Sequence, residues 1–218
     1  MMFRSKASCR AVVNLGGFSN ATILPAEPRA TGNSVFNPAD KRAAWIDGIR
    51  GFDLCLCNQL LDHISRTMAN IPFDQDGRLA LSGRVNPLAL EPLHTLLDQQ
   101  RRSGRSLGTT DEIVAQASAH LSGLSPSDAL ATAAQAIAQT ISHAIAETLS
   151  ANQRTSRVLV LFAGGGVRNA GLMSAMRRAI KASGSWKGSV RITDEYGVPS
   201  DARETTAMAL LGVLAADG

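Results

Sequence analysis

A chain of 218 residues suits one domain, or one large domain with an appended helical lobe, and its 44% apolar content is enough to build a core. The net charge of +4 is not gathered into a basic tract, since Arg101, Arg102 and Arg105 are broken by Ser and Gly, and this argues against a nucleic-acid partner. Three cysteines make no disulfide framework at this size and no segment is apolar for long enough to span a bilayer, so a reduced, cytoplasmic setting without membrane partners is expected.

Residues 11–24 read as two short strands joined at Gly16-Gly17, a pair that accepts hairpin backbone. Residues 25–40 hold three prolines and form a long loop. Arg50–Leu56 reads as a strand, and Leu60, Leu61, Ile64 and Met68 then fall at helical spacing over Asn58–Met68. Residues 71–85 are polar and interrupted by glycine. There Phe73-Asp-Gln-Asp-Gly77 lacks the further oxygens and the late Glu of a calcium loop, and reads as a solvated turn.

Pro87–Leu97 and Asp111–Leu121 are helical, separated by a loop over 101–110. Ser125 can cap the next helix, Pro126 suits its first position, and Asp128 favours its positive end. Leu130, Ala134, Ile137, Ile141, Ile145 and Leu149 then make one apolar stripe. Arg157–Phe162 is a strand buried on both faces, ended by Gly164-Gly165-Gly166 and followed by a helix over Ala170–Lys181. Ser189–Thr193 is a further strand, and Asp201 with Glu204 forms a capping box for a closing helix through Ala215.

Chemistry concentrates at two glycine turns. A glycine run between a buried strand and a helix lets a ligand approach backbone closely, and Ala163-Gly-Gly-Gly-Val-Arg-Asn169 is such a run. It is neither a Walker A loop nor a dinucleotide fingerprint, which removes a Rossmann oxidoreductase. Asn14-Leu-Gly-Gly-Phe-Ser-Asn20 is its counterpart, a hairpin tip whose N–H groups can cradle phosphate. His63, His94, His120 and His143 show no metal-ligand spacing, and Ser19 and Ser106 carry no hydrolase motif.

These motifs resemble the anhydro-N-acetylmuramic acid kinases. Val13-Asn-Leu-Gly-Gly-Phe-Ser-Asn20 is similar to that family's Asn-Ile-Gly-Gly-Ile-Ala-Asn hairpin. Gly51-Phe-Asp53 with Asn58 and Asp62 resembles its Gly-Phe/Tyr-Asp-Thr-Gly-Pro-Gly-Asn-x-Leu-x-Asp segment, with Leu54-Cys-Leu-Cys57 in place of Thr-Gly-Pro-Gly. Asp128-Ala-Leu-Ala-Thr-Ala133, Gly164–Asn169 with Leu172-Met173, and the run Thr193, Asp194, Gly197, Asp201, Glu204 follow in the family's order.

The resemblance implies an α/β domain of the actin-like, ribonuclease H-like sugar-kinase fold, a mixed sheet with flanking helices and a helical lobe. It implies one domain over 1–218: hairpin and strand–helix over 10–62, helical lobe over 63–125, and helix, glycine turn and closing α/β unit over 126–218. It implies ATP with magnesium, bound by Asn14, Gly16, Gly17, Asn20, Asp53, Gly164, Gly165, Gly166 and Asn169, one turn near the phosphates and one near the adenosine.

The implied reaction is ATP-dependent phosphorylation and ring opening of 1,6-anhydro-N-acetylmuramic acid in cell-wall recycling. The resemblance corresponds to the C-terminal, nucleotide-binding half of the family, beginning after its N-terminal phosphate-binding Asp-Gly-Thr segment and its catalytic Asp. The catalytic residues are therefore unassigned here. The expectation is a fragment or split subunit, inactive alone, with ATP, an anhydro amino sugar and a separate N-terminal half or a second copy as candidate partners. A degenerate, non-enzymatic interaction or regulatory domain is the alternative. In either case an apolar face near Leu54–Leu61 is expected to lie partly uncovered.

Overall fold

The computed structural model describes residues 3, 5, 7–27, 45–103, 111–155 and 157–200. Its centre is β1 (Arg10–Leu15), which folds back through Gly16-Gly17 into β2 (Phe18–Leu24). On the far side of β2 lies β3 (Arg50–Leu56), also antiparallel. On the other side of β1 run β4 (Arg157–Ala163) and then β5 (Lys187–Ile192), both parallel, giving the order β3-β2-β1-β4-β5. A hairpin can join antiparallel neighbours, but parallel neighbours need a crossover. The β1–β4 pair is bridged by a long helical excursion, and β4–β5 by one helix. This is the mixed sheet with flanking helices that the resemblance implied.

The excursion comprises α1 (Asn58–Met68), α2 (Arg78–Ser82), α3 (Pro87–Arg102), α4 (Asp111–His120), α5 (Pro126–Thr148) and α6 (Ala151–Thr155); α7 (Ala170–Ala182) makes the last crossover. Alternate strand residues Ala11, Val13, Leu15, Val158, Val160 and Phe162 enter the same core as α1, α3, α5 and α7. The opposite face carries a smaller cluster of Val12, Leu24 and Leu161.

Helix α5 begins as its sequence prescribes: the Ser125 side chain accepts from Asp128 N–H at 3.1 Å, with Pro126 in the first turn. All six residues of the expected stripe are buried, but so are Ala129, Ala133, Ala136, Ala138 and Ala144. Small side chains let sheet, α1, α2, α3 and α7 all close on one helix. The α3 end is fixed to α5 by ion pairs: Arg101 bonds Asp98 and Glu147 at 2.7 Å each, and Arg102 bonds Asp98 at 2.6 Å. Burial raises the Asp98 carboxyl, but the Arg102 and Arg101 guanidiniums outweigh it and hold it below the usual carboxylate range.

Several elements depart from the sequence reading. Helix α3 continues to Arg102, and α2 and α6 are short helices that no periodicity announced. β5 begins two residues early, and Thr193 opens a 3-10 turn instead of ending the strand. The face near Leu54–Leu61 is closed: Leu54, Leu56 and Leu60 are fully buried because α3 and α5 cover them. Ile46, Phe73, Leu81, Leu88 and Tyr196 are the exposed large apolar side chains among the described residues. The long loop is described only through Glu27, and the closing helix with its Asp201–Glu204 box lies outside the described residues.

Strand β3 is an edge strand whose backbone is partly served by α3. The Leu56 N–H donates to buried Gln100 Oε1 at 3.0 Å. Gln100→Met keeps the volume and removes the acceptor, leaving a buried N–H without a partner. It is expected to lower unfolding free energy by about 1–3 kcal/mol in urea titrations; an unchanged midpoint would show that water or another group replaces the amide.

Candidate functional site

The C-terminal ends of β1 and β4 lie side by side, with Asn14 opposite Ala163 in register. At this point the chain leaves β4 through Gly164-Gly165-Gly166, the last two opening a 3-10 turn that runs to Arg168. Gly164 has φ +88°, a left-handed conformation open to glycine. A Cβ there would stand 2.6 Å from Asn14 Oδ1 and 2.8 Å from the Leu15 carbonyl oxygen. At Gly166 a Cβ would stand 2.7 Å from Leu15 Cβ and 3.0 Å from Asn58 Oδ1. Both glycines are demanded by packing against β1.

Gly165 is different. It is exposed, and a Cβ would meet nothing nearer than Asn58 Nδ2 at 3.9 Å. Packing alone does not require glycine there, and the backbone is left open to close approach from outside.

The hairpin tip is used in another way. The first N–H groups of α1 have no side-chain cap and turn instead to hairpin carbonyls. Cys57 N–H donates to Gly17 O at 2.9 Å, Asn58 N–H to Gly16 O at 3.0 Å, and Gln59 N–H to Gly17 O at 3.2 Å. The Asn58 side chain adds a bond from Nδ2 to Leu15 O at 3.0 Å. Hairpin, glycine turn and α1 thus meet at one corner of the sheet, which is the juxtaposition the two motifs suggested.

Two polar features flank the turn. On the face away from α5, Asn14, Asn20 and Asp53 occupy one register row across β1, β2 and β3, running toward Ala163. On the helical side a cleft of about 340 Å³ opens, lined by Asn58, Asp62, Phe73, Asp76, Gly165 and Asn169 among others. Gly165, Gly166 and Asn169 are therefore brought to the cleft, whereas Asn14, Gly16, Gly17, Asn20 and Asp53 do not line it.

Asn169 also caps α7, its Oδ1 accepting from Leu172 N–H at 2.8 Å.

The outer wall of the cleft was not legible as such. Phe73–Gly77 is solvated only in part: Phe73, Gln75 and Asp76 are exposed, but Asp74 is 6% exposed and accepts from Leu79 and Ala80 N–H at 2.9 and 3.0 Å, which serves the first turn of α2. Gly77 has φ +69° and sits where a Cβ would meet Asn169 Oδ1 at 2.2 Å. The signal was Asp-Gln-Asp-Gly itself, an acceptor for backbone N–H followed by a left-handed glycine. Asp62, Asp74 and Asp76 against Arg168 give the cleft lining an excess of carboxylates, of which Asp76 is paired with Arg78 at 3.3 Å. Among the described residues no group of three or more His, Cys, Asp or Glu side chains is placed to hold a metal ion. Burial lifts the Cys9 thiol to about 11 and the Cys55 thiol to about 12, so neither is a nucleophile at neutral pH.

The anhydro-N-acetylmuramic acid kinase profile matches residues 1–218. The chain belongs to that family. It is 34% identical over 217 residues to the anhydro-N-acetylmuramic acid kinase of Burkholderia thailandensis, covering 96% of this chain and 51% of the relative. The corresponding kinase of Paraburkholderia xenovorans is 32% identical over 216 residues, covering 97% and 51%. The chain thus spans about half the length of the curated relatives it matches.

Among solved structures, the activator of the 2-hydroxyisocaproyl-CoA dehydratase from Clostridium difficile with bound ADPNP is similar at 18% identity and a TM-score of 0.47. That likeness covers 86% of this chain and 56% of the activator.

Within this member of the kinase family, Asp62 carries a testable charge. Burial raises its carboxyl, and Arg66 one turn on lowers it by less. With the folded value above the unfolded one, the protonated form favours the fold, and that stability is lost as pH rises through the folded value. Asp62→Asn is therefore expected to melt higher than the parent near pH 7, with the gap closing toward about pH 3. Equal melting curves at neutral pH would remove the desolvation cost assigned to this carboxylate.

Proposed function

We propose that this chain supplies the nucleotide-binding half of an anhydro-N-acetylmuramic acid kinase. The reaction transfers the γ-phosphate of ATP to the sugar while water opens the 1,6-anhydro ring, giving N-acetylmuramic acid 6-phosphate for cell-wall recycling. Gly165 carries the reading: an exposed glycine at a strand–helix turn, with open space where its side chain would be and a polar cleft beside it. In the proposed site Gly164 and Gly166 hold the turn against Leu15, and Gly165 lets ATP approach the backbone. Asn58 and Asn169 border the nucleotide, while Asn14, Asn20 and Asp53, with Gly16 and Gly17 of the hairpin, form the sheet-side approach. The chain acts as one domain over 1–218 in this reading, with residues 63–125 as its helical lobe.

The residues present fit magnesium as part of a complex with phosphate. Carboxylates are the hard oxygen donors magnesium takes, and it is commonly held by one or two of them together with substrate phosphates. Asp62 would serve, and Asp76 on giving up its 3.3 Å ion pair with Arg78, since both oxygens of Asp74 are occupied by backbone N–H groups. The ion would neutralise phosphate charge that the anionic lining otherwise repels.

Phosphoryl transfer needs charge stabilisation and positioning from both walls of a cleft. In this reading the chain is a subunit or fragment that binds nucleotide weakly and turns over sugar only with a complementary half. A second reading, a non-enzymatic interaction domain, is favoured by Leu54–Cys57. The resemblance places Thr-Gly-Pro-Gly there, and here all four side chains are fully buried in the core.

Calorimetry separates the two. Magnesium–ATP is expected to bind at a dissociation constant of about a millimolar or tighter, chelation of the metal to weaken it, and Gly165→Val to abolish it without changing the melting temperature. No binding by the parent at millimolar nucleotide would select the interaction domain. Incubation with the anhydro sugar and magnesium–ATP is expected to give no sugar phosphate; turnover by the chain alone would overturn the half-site reading.

A further inference from the structure

Far from the glycine turn, cations distant in sequence converge. Arg154 of α6, Arg157 at the start of β4, Arg177 and Lys181 of α7, and Lys187 and Arg191 of β5 line one open cleft of about 980 Å³. All six are exposed, and no carboxylate lines the cleft among the described residues. Arg157 and Lys187 are direct neighbours in the parallel register. One of the six, Arg191, is ion-paired, with Glu195 at 3.2 Å. The hydroxyls of Ser183 and Ser185, 3.3 Å apart, and the small residues Gly184 and Gly188 complete the lining.

Two ordinary causes explain part of this. Charges on an edge strand discourage pairing with other chains, which accounts for Lys187 and Arg191. A cation in the last turn complements a helix dipole, which accounts for Lys181. The same cause covers Arg154, which lies in the last turn of α6 and donates to the Leu149 carbonyl at 3.1 Å; neither reaches Arg157 or Arg177, which face the same space. Like charges gathered from four elements repel one another, and an anion relieves that cost.

We propose that this cleft binds a small anion carrying several linked phosphate groups. Guanidinium forks bond phosphate oxygens in pairs, ammonium and hydroxyl groups supply further donors, and glycine leaves room for the ligand. A small ligand is favoured over a nucleic acid because the cleft offers no exposed ring on which bases could stack. Its one aromatic, Trp186, is 3% exposed. The site lies at the opposite end of β4 from Gly164, about 20 Å along a strand of this length. It is independent of the nucleotide reading.

Sodium tripolyphosphate is the probe, titrated into the full chain by calorimetry at low and moderate salt. The expected result is binding that weakens with salt and falls at least about tenfold in Arg177→Gln/Lys181→Gln/Lys187→Gln. These three side chains are exposed, so the variant should keep the parent's circular dichroism and melting. Orthophosphate should bind more weakly than tripolyphosphate. Gly165→Val should leave tripolyphosphate binding intact, which separates this cleft from the glycine turn. Equal affinity in parent and triple variant, equal affinity for the two phosphates, or loss on Gly165→Val would each overturn the proposal. A single-stranded oligonucleotide that binds more tightly than tripolyphosphate, and is lost in the triple variant, would assign the cleft to nucleic acid and overturn it equally.

Discussion

Leu15 ends β1 at the place where β4 turns away, and the two backbones approach so closely there that no side chain fits between them. Gly164 and Gly166 are the means of that approach, and much else is set by it. Because β4 can turn directly over the end of β1, Asn58 reaches Leu15 O, the hairpin tip caps α1, and Asn169 arrives where it can cap α7. The corner is a set of backbone groups that satisfy one another across elements far apart in sequence. Gly165, freed from this duty, is left facing open space.

The strand–turn–helix run over 157–182 was readable because two local signals agreed: a continuous apolar strand, and glycines followed by an Asn cap. The hairpin was readable for the same reason. Its role was not, because Cys57 gives no hint that α1 borrows carbonyls from Gly16 and Gly17. Asp74 shows the opposite difficulty. A polar residue in a Gly-bounded stretch reads as solvated, yet tertiary contact buries it against the first turn of a five-residue helix too short to show periodicity.

Charge needed the fold for a related reason. Along the chain the cations are scattered, and the densest cluster, around Arg101 and Arg102, is paired to Asp98 and Glu147 in the described structure. The concentration that exists is made by folding, which brings the starts of β4 and β5 beside the end of α7. Linear density reports neighbours in sequence; a parallel sheet makes neighbours of strand starts that lie a whole helix apart. Likewise, sequence marked α5 as amphipathic, whereas its alanines bury it on most sides and make it the post around which the other helices stand.

The segment from Asp74 to Arg84 is fastened at both ends. Gly77 lies against Asn169, and Gly171 has room for no more than Ala80 beside it, a Cβ there standing 2.4 Å from Ala80 Cβ. At the far end Gly83 packs on the Ser127 carbonyl, and Arg84 N–H donates to Asp128 at 2.7 Å. A stretch held this tightly to two helix starts is a strut, not a flap. The spacing between the glycine turn and the wall facing it is consequently set by α5 and α7, so a nucleotide bound there as proposed would demand little ordering of backbone. In the proposed nucleotide site, selection would then rest on size and charge, since a wall so fastened has little slack with which to close around a poorer fit.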